Sequence, residues 1–450
     1  MIAVARKSVD IAHLIQFKFG NAGYPDGAFL TAIVDGLKRG HREHPHDIPV
    51  VRLLVGVHPP AFADEVAFVD QLTKHVGSWV KVQSGGMKTT PLSWNHGKVV
   101  DVDGREAIVG GENYWASDYL HTNHPTNDIS MWVKGPAAAD VSRYMDVLWK
   151  WTCDHRFIPL NGVAVRFHNI PGFPTADCVK DIAIDPAPPD PHGAWVMTVG
   201  KLGHGIDVPG EAGKQSAPIH RPKLSGNTCN KDQASNDNKD VNNKRDYEYR
   251  NPGETALRTL IASAHQSIFI SQQDLLSCLP KPFAATEAKF DERVFAALAQ
   301  KVVSRVPIKI VLSNYSTEAG GYSNGWHLAD VAHVFMQMLQ KNDGLSEAAA
   351  REKLCKDVGL TTIRNDADVA KWKDGTPFYN HAKLLAVDDE AFYIGSGNLY
   401  PSGLQELGFI VEDHTAGSQL KKAYLDPIWK NSSPAALIDP GRGRCDAFPG

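Results

Sequence analysis

The sequence lacks several features that would each mark a particular class of protein. No uninterrupted apolar run approaches the length of about 18 residues that a transmembrane helix requires. There is no block of consecutive basic residues, and the formal net charge is −4. Because proteins that bind nucleic acid through its phosphates usually carry a basic surface, this charge argues against that class. It leaves binding to a neutral lipid surface open.

A secretion signal is also missing from the start of the chain. Arg6, Lys7 and Asp10 interrupt the first residues, which therefore contain no apolar segment of the kind that a signal peptide needs. A helix precedes Ala264, but only four residues precede Ala5, which begins a closely similar segment. We therefore expect the natural protein to extend further N-terminally and to carry a secretion signal there.

Cysteine is scarce, and its spacing matches no metal site. The six cysteines form no CxxC pair and are scattered, at Cys153, Cys178, Cys229, Cys278, Cys355 and Cys445. Their even number favours three disulfides in an oxidising compartment, and six reduced thiols in a cytosolic enzyme remain the alternative.

Two histidine-rich stretches lie in polar turns, which predicts solvated loops rather than metal ligands, at His41, His44 and His46 and at His121 and His124. We expect no metal and no other cofactor.

What the sequence does contain is a duplicated motif. The pattern H-x-K-x4-D-x6-G, followed by Gly or Ser, occurs as HGKVVDVDGREAIVGG from His96 and as HAKLLAVDDEAFYIGS from His381. A single HxK on a strand is usually a solvated edge, but two copies with the same spacing indicate a site that is built twice. We infer that the two halves meet and form one active site with two imidazoles and two ammoniums. That combination suits a phosphodiester.

The two halves also repeat an order of secondary structure. With 42% apolar and 22% charged residues in 450, the chain can form two lobes with separate cores. The alternation of strands and helices predicts an α/β fold of two similar α-β-α lobes with mixed sheets, related by pseudo-twofold symmetry. The lobes are expected at 1–202 and 247–450, joined by a polar linker or long surface loop at 203–246. The sequence predicts helices at 27–41, 252–264 and 291–304, and strands at 49–57 and 307–313.

The residues of each motif have distinct predicted roles in phosphodiester chemistry. Side chains alternate along a strand, so each histidine shares a face with the lysine two positions on. Lys98 and Lys383 would hold the non-bridging phosphate oxygens. The pairs Gly110–Gly111 and Gly395–Ser396 would let backbone N–H groups approach closely. One imidazole would attack phosphorus while the other, protonated, gives its proton to the leaving alkoxide.

Amides and carboxylates beyond each motif would complete the site. Asn113 and Asn398, each two residues past its glycine pair, can donate to the phosphate oxygens. A catalytic imidazole usually has a carboxylate that fixes its tautomer, and the candidates are Asp128 and Glu406.

The motif carboxylates Asp103 and Asp388 belong to the same candidate set. Each lies where its strand leaves into a turn, so hydrogen bonds to the backbone are favoured over chemistry. The residue patterns leave open which histidine attacks.

The duplicated motif is that of the phospholipase D superfamily, and the chain resembles the secreted bacterial phospholipases D of the actinomycete type. The similar stretches run from Ala5 to Cys445 and include WNHGKVVDVDG, GGENYW, SDYLHTNHP, FYNHAKLLAVDD and FYIGSGNLYPSGLQELGFIVE. The resemblance implies a secreted monomer with one metal-free active site at the lobe interface. It would hydrolyse phosphatidylcholine and related lipids, at a membrane or micelle surface, to phosphatidic acid and free head group. It would also transfer the phosphatidyl group to alcohols.

The resemblance assigns roles to single residues as well. His96 would be the nucleophile that forms a phosphohistidine, and His381 would be the acid. The acidic partners match at Asp128 and at Glu406, where the family usually has Asp and where the longer side chain would have to reach His381. Trp115, Tyr119 and Tyr322 would surround the head group, as suits a quaternary ammonium, which lacks hydrogen-bond donors. Matching cysteines suggest the pairs Cys153–Cys178, Cys229–Cys278 and Cys355–Cys445.

Two other functions compete with this one. A phosphodiesterase of the same superfamily that acts on nucleic acid should have a basic groove with interleaved aromatics, which the net charge of −4 does not suggest. A catalytically dead lipid-binding protein would have no need to keep both motifs complete.

Overall fold

The structure is a computed structural model that describes most of the chain. The described residues are 1–15, 25, 27–57, 65–90, 93–120, 123–155, 157–158, 163–166, 178–203, 205–206, 251–276, 290–314, 327–400 and 402–448. Nearly all of the predicted linker at 203–246 lies outside them, and so do Tyr322, His121, Cys229 and Cys278.

The described residues form α-helices and β-strands in alternation. The helices are α1 (Gly27–Glu43), α2 (Glu65–Val76), α3 (Ala116–Tyr119), α4 (Pro136–Asp154), α5 (Pro252–Ser263), α6 (Glu292–Val303), α7 (Leu328–Asp343), α8 (Glu347–Asp357), α9 (His414–Leu420) and α10 (Asp426–Ser432). The strands are β1 (Ser8–Leu14), β2 (Val50–Gly56), β3 (Lys81–Thr90), β4 (Ser93–Trp94), β5 (Lys98–Val102), β6 (Glu106–Gly110), β7 (Ser130–Lys134), β8 (Phe157–Ile158), β9 (Val163–Arg166), β10 (Trp195–Lys201), β11 (Ile268–Gln272), β12 (Ile308–Leu312), β13 (Val358–Thr362), β14 (Lys383–Val387), β15 (Ala391–Gly395), β16 (Glu406–Glu412), β17 (Ile438–Asp439) and β18 (Arg444–Cys445).

The strands form two mixed sheets whose central parts have the same order. The first sheet runs β7-β6-β5-β1-β2-β3-β9-β8, with β4 paired to β3, and the second runs β10-β16-β15-β14-β11-β12-β13-β17-β18. In each sheet three neighbouring strands are parallel, namely β1, β2 and β3 in the first and β11, β12 and β13 in the second. The motif strands β5 and β14 run antiparallel to β1 and β11. The predicted α/β class with two lobes and mixed sheets is therefore confirmed.

Local sequence explains where these elements begin and end. The side chain of Asp291 accepts hydrogen bonds from the amides of Arg293 and Val294 and caps α6, and Ser346 caps α8 in the same way. Helix α7 ends at Gly344, whose φ of 63° is a backbone conformation that glycine adopts without strain. Strands β11 and β14 are buried along their whole length, which is why they read as apolar runs rather than as alternating patterns.

The predicted elements match the structure within a few residues, apart from one boundary. The predicted helices at 27–41, 252–264 and 291–304 are α1, α5 and α6, and a 3-10 turn at Ile2–Val4 precedes the first strand. The predicted lobe boundary at residue 202, however, does not match the sheets. Strand β10 pairs along its whole length with β16 and is therefore part of the second sheet. Hydrogen bonding to an open edge, which no pattern within β10 reveals, decides where this strand belongs.

The two sheets share a hydrophobic core. Leu407 and Phe409 of β16 are fully buried in one cluster with Leu148 and Trp149 of α4. Val99 and Val109 of the first sheet belong to the same cluster. Because residues from both sheets are buried together, the lobes are fixed against each other.

Two of the three expected disulfides lie in the described residues, and both are present. Cys153 at the end of α4 is bonded to Cys178, and Cys355 in α8 is bonded to Cys445 in β18. The expected bond between Cys229 and Cys278 falls outside the described residues. Within the described part of the chain, no helix combines the length and the apolar character that crossing a membrane requires.

Candidate active site

The two motifs meet through a pair of matching contacts between the lobes. Just before β5, the amide of His96 donates to the carbonyl of Gln405 at 2.8 Å. Just before β14, the amide of His381 donates to the carbonyl of Asn127, also at 2.8 Å. The backbone of each histidine is thus bonded to the residue that immediately precedes an acidic residue of the other half. That acidic residue is Glu406 for His96 and Asp128 for His381.

These contacts place the carboxylates in a crossed arrangement. Glu406 opens β16, and its two carboxylate oxygens lie 3.0 and 3.1 Å from Nδ1 of His96. Asp128 precedes β7, and its Oδ2 lies 2.7 Å from Nδ1 of His381. The expectation that Glu406 would reach His381 is therefore wrong. The backbone contact between Gln405 and His96 brings the next residue, Glu406, beside that histidine.

The crossed carboxylates fix the same tautomer in both rings. A carboxylate accepts hydrogen bonds and cannot donate them, so Nδ1 carries the proton in each neutral imidazole. The other nitrogen, Nε2, is then left with a free electron pair. A neutral imidazole in this tautomer can attack phosphorus, and a protonated one can give up its Nε2 proton.

Both motif lysines are buried beside the histidines. Lys98 donates from Nζ to the carbonyl of His96 at 2.6 Å, and Lys383 donates to the carbonyl of His381. Burial lowers the pKa of Lys98 well below its usual value, and burial lowers the pKa of Lys383 to about 8, although carboxylates oppose both shifts. Two ammoniums with little access to water form a strong attractant for an anion.

Charge coupling shows that the two motifs share one environment. Burial lowers the pKa of His96 to about 4, and Lys98 and Lys383 both push it in that direction against Glu406. Burial also lowers the pKa of His381 to about 4, with contributions in the same direction from Lys383 and Lys98 and in the opposite direction from Asp128. Because each histidine senses the lysine of the other motif, both motifs face one site.

The motif aspartates have a structural role on the far side of the motif strands. Asp103, at a φ of 57°, accepts hydrogen bonds of 2.8 Å from the amides of Arg6, Lys7 and Ser8. Asp388, also at a φ of 57°, accepts bonds of 2.7 to 2.8 Å from the three amides at 265–267. Each carboxylate therefore ties its motif strand to the start of a central strand. The contacts of both are with backbone amides, which corrects their placement in the catalytic set.

The glycine pairs make room for the carboxylates. The amides of Gly111 and Ser396 donate to the carbonyls of Ile129 and Leu407, so they do not point at a phosphate as expected. Glycine is required at 111 because a Cβ there would overlap the carboxylate of Asp128.

In the second half a hydroxyl takes the corresponding place. Ser396 donates from Oγ to Oε2 of Glu406 at 2.7 Å and so orients that carboxylate. The first members of the pairs, Gly110 and Gly395, lie where a Cβ would overlap a neighbouring strand or its side chains.

The two asparagines differ in their contacts. The side-chain oxygen of Asn113 accepts a hydrogen bond of 3.2 Å from the amide of Leu14. The amide group of Asn398 is buried and has no partner among the described residues, so both of its polar atoms are available to a ligand.

The aromatic residues have contacts that their expected role does not cover. Tyr119 donates from its hydroxyl to Oδ2 of Asp128 at 3.1 Å, and the same hydroxyl lies 3.2 Å from Nδ1 of His381. Burial, reinforced by the charge of Asp128, raises the pKa of this tyrosine well above its usual value, so it stays a donor. Trp115 donates from Nε1 to the carbonyl of Leu14 at 3.0 Å. Tyr119 therefore lies at the site beside His381, and Tyr322 is outside the described residues.

Sequence reasoning missed the asparagines that precede the histidines. The side-chain oxygen of Asn95 accepts from the amide of Gly97, and that of Asn380 accepts from the amide of Ala382, both at 3.2 Å. Each asparagine thereby shapes the turn that carries its histidine. The signal was present, since both copies read N-H-x-K.

Lys201 at the end of β10 was also missed. It lies directly opposite Glu406 in the β10–β16 pair, and its ammonium bonds Glu254 at 2.6 Å. Although burial alone would raise the pKa of Glu406, His96, Lys98 and Lys201 together lower it, so this carboxylate stays charged. Nothing in the sequence near β10 indicates that it joins the second sheet.

The histidines outside the motifs have other partners. His41 stacks on Trp79 with ring centroids 4.0 Å apart, and Nδ1 of His124 lies 2.5 Å from Oδ2 of Asp374. Within the described ranges, no group of His, Cys, Asp and Glu side chains is arranged to hold a metal ion.

Comparison with known proteins shows to which family the chain belongs. No family model matches the chain. The chain is 39% identical to a phospholipase D of Streptomyces antibioticus over 462 residues, which cover 98% of this chain and 77% of that protein. A solved structure of a phosphatidylserine synthase from Haemophilus influenzae Rd KW20 matches with a TM-score of 0.52 at 12% identity, covering 96% of this chain and 82% of that one. The second likeness shows the fold alone, whereas the first covers enough of both chains to show the family.

Proposed function

The chain belongs to the phospholipase D family of enzymes, and from that membership we propose that it hydrolyses phosphatidylcholine and related glycerophospholipids. The products are phosphatidic acid and the free head group. The observation that carries the proposal is the pair of crossed His–carboxylate contacts beside two buried lysines. One anionic phosphate between these groups can meet a nucleophile and an acid at the same time.

The reaction proceeds in two displacements. Nε2 of His96 attacks phosphorus, the bond from phosphorus to the head-group oxygen breaks, and His381 gives its Nε2 proton to that oxygen. His381, now neutral, takes a proton from water as the water oxygen attacks phosphorus. The P–N bond then breaks, which releases phosphatidic acid and restores His96. An alcohol in place of water gives a new phosphatidyl ester.

The contacts of the histidines support this division of roles. His96 is 4% exposed, and both oxygens of Glu406 are within 3.1 Å of its Nδ1, so its ring is held in one orientation. The side chain of His381 is 18% exposed, which suits a group that exchanges protons with water or an alcohol.

The charge of the substrate lets His381 take up from water the proton that it later donates as the acid. Without a ligand, burial and the lysines keep the pKa of His381 at about 4, so the ring is neutral at pH 7. A bound phosphodiester adds a negative charge beside the ring and compensates the ammoniums. The pKa of His381 then rises, and the enzyme becomes competent as the substrate binds.

Head-group binding, secretion and the monomeric state are further parts of the proposal. The ring of Trp115 would offer an aromatic face to a quaternary ammonium, while the hydroxyl of Tyr119 supports the acid through Asp128. The disulfides at Cys153 and Cys355 are consistent with a secreted protein. We propose that the enzyme acts as a monomer on a membrane or micelle surface.

The test is turnover of phosphatidylcholine vesicles, with single-stranded DNA as the alternative substrate. The wild type should release choline, and His96→Ala should abolish release. Enzyme quenched with denaturant at mildly alkaline pH, where the P–N bond survives, should yield a peptide in which His96 carries the phosphatidyl group, and this peptide should be missing from His96→Ala. Ethanol added during turnover should produce phosphatidylethanol. DNA cleavage without choline release would refute the proposal.

A further inference from the structure

Two polar side chains beside Lys383 have no role in the reaction described so far. Gln272 ends β11 and lies directly opposite Lys383 in the β11–β14 pair, so the two side chains share one face of the sheet. Asp274 follows two residues later and is close enough to Lys383 for each to affect the charge of the other. Both side chains are fully buried.

Both side chains lack hydrogen-bond partners. Neither the amide nitrogen and oxygen of Gln272 nor the two carboxyl oxygens of Asp274 find a partner anywhere in the described part of the chain. Buried polar groups are rarely left unpaired, because they lose the hydrogen bonds that water would supply. Two such groups together, next to a lysine that attracts phosphate, indicate a place where a ligand supplies the partners.

The first half has different residues at the corresponding positions. Ser8 and Ser267 are equivalent, since their amides bind Asp103 and Asp388 in the same way. Counting seven residues onward from each leads to Ile15 in the first half and to Asp274 in the second. Ile15 is buried and apolar. The halves therefore differ at 15 and 274, where an apolar side chain corresponds to a carboxyl, whereas the position of Gln272 corresponds to His13, which is also buried and polar.

This asymmetry matches the two ends of a phospholipid. A phosphatidyl phosphodiester joins a diacylglycerol to a polar alcohol, and His381 donates its proton to that alcohol in the proposed reaction. We propose that Gln272 and Asp274 form a hydrogen-bonding subsite for the polar alcohol, with a preference for head groups that carry hydroxyl or primary ammonium hydrogens. This inference rests on the proposed function and adds a substrate preference to it.

The chemistry of the pair favours such head groups. Burial raises the pKa of Asp274 well above its usual value despite the opposing charge of Lys383, which favours the protonated carboxyl, a group that donates one hydrogen bond and accepts others. The hydroxyls of glycerol can both donate to and accept from this pair, and the primary ammonium of ethanolamine can donate to its oxygens. The quaternary ammonium of choline has no hydrogen to donate and gains nothing from these groups.

The test compares phosphatidylglycerol, phosphatidylethanolamine and phosphatidylcholine in mixed micelles. Asp274→Ile copies the residue of the first half. It should lower kcat/KM for the first two lipids about 10- to 100-fold and change kcat/KM for phosphatidylcholine less than about threefold. Asp274→Asn should stay close to the wild type, because it keeps a neutral donor and acceptor. Gln272→Leu should reproduce the selective loss.

Controls separate this inference from loss of folding and from failure of the proposed function. Gln337→Leu removes a side chain of α7 whose oxygen is likewise buried without a partner in the described residues, and it should leave the lipid preference unchanged. Thermal unfolding identifies any variant that is not folded at the assay temperature, and Gln272→Leu then replaces Asp274→Ile as the test. An equal loss on all three lipids, or no loss, would overturn the subsite. A wild type that hydrolyses none of them would overturn the proposed function instead.

Discussion

Replacing Asp103 by Ala should destabilise the protein without removing its chemistry. The carboxylate accepts three backbone amides at 2.8 Å, and the amide of Ser8 among them is buried. At about 1 kcal/mol net per bond the loss is about 3 kcal/mol. Alanine at a φ of 57° adds about 1 kcal/mol, so the free energy of unfolding should fall by about 4 kcal/mol.

Asp388 provides the matched comparison. It also binds three amides, but two of them are exposed, so water replaces the carboxylate there and Asp388→Ala should cost only about 2 kcal/mol. Asn in either position should cost less than Ala, because it tolerates this φ and keeps one acceptor.

The assays are urea unfolding followed by circular dichroism and choline release by the folded fraction. For both aspartates we expect kcat to change less than about tenfold in folded enzyme, since neither contacts His96 or His381. A variant with wild-type stability and a loss of kcat above about a hundredfold would refute the structural role.

Three further predictions concern the site and the cross-links. Asp128→Asn and Glu406→Gln should each lower kcat by about a hundredfold or more with little change in KM, because each leaves one histidine in the wrong tautomer. Unchanged steady-state kinetics would count against the crossed pairs. Since burial lowers the pKa of Lys383 to about 8, kcat/KM should fall as the pH rises through 8 and the ammonium loses its charge. Lys383→Arg should move this alkaline fall in kcat/KM to higher pH, and an identical fall in both enzymes would contradict its assignment to Lys383. Replacing Cys355 and Cys445 by Ala removes a cross-link with a sequence separation of 90, and chemical denaturation should show a loss of about 4 to 5 kcal/mol, whereas a loss below about 1 kcal/mol would contradict the chain-entropy account.

Sequence patterns predicted the class of the fold and the identity of the reacting groups because both are local properties. Helix α5 has its own apolar period and begins with Pro252, and His96 and His381 are marked by a spacing that occurs twice. The partner of Glu406 could not be read in this way. It depends on which segment lies beside β5 once the lobes have met, and no residue near Glu406 encodes that contact.

The same limit explains two other errors. Strand β10 contains no signal for the sheet that it joins, since the partner strand lies more than 200 residues away and only pairing along β16 decides it. The glycine at 111 was interpreted as an approach for phosphate, whereas its small size serves the carboxylate of Asp128. Whether a glycine makes room for a ligand or for a neighbouring side chain is decided by tertiary packing.

The pairing of β10 with β16 has a consequence for anyone who recombines this enzyme with a relative. A recombination junction in the 203–246 segment would pair β10 of one parent with β16 of the other. The two residues in each of the seven pairs between these strands would then come from different sequences. Lys201 and Glu406, the pair nearest the reacting imidazole, would be among them. A junction upstream of Trp195 inherits the whole second sheet from a single parent, and hybrids cut there should keep their activity more often.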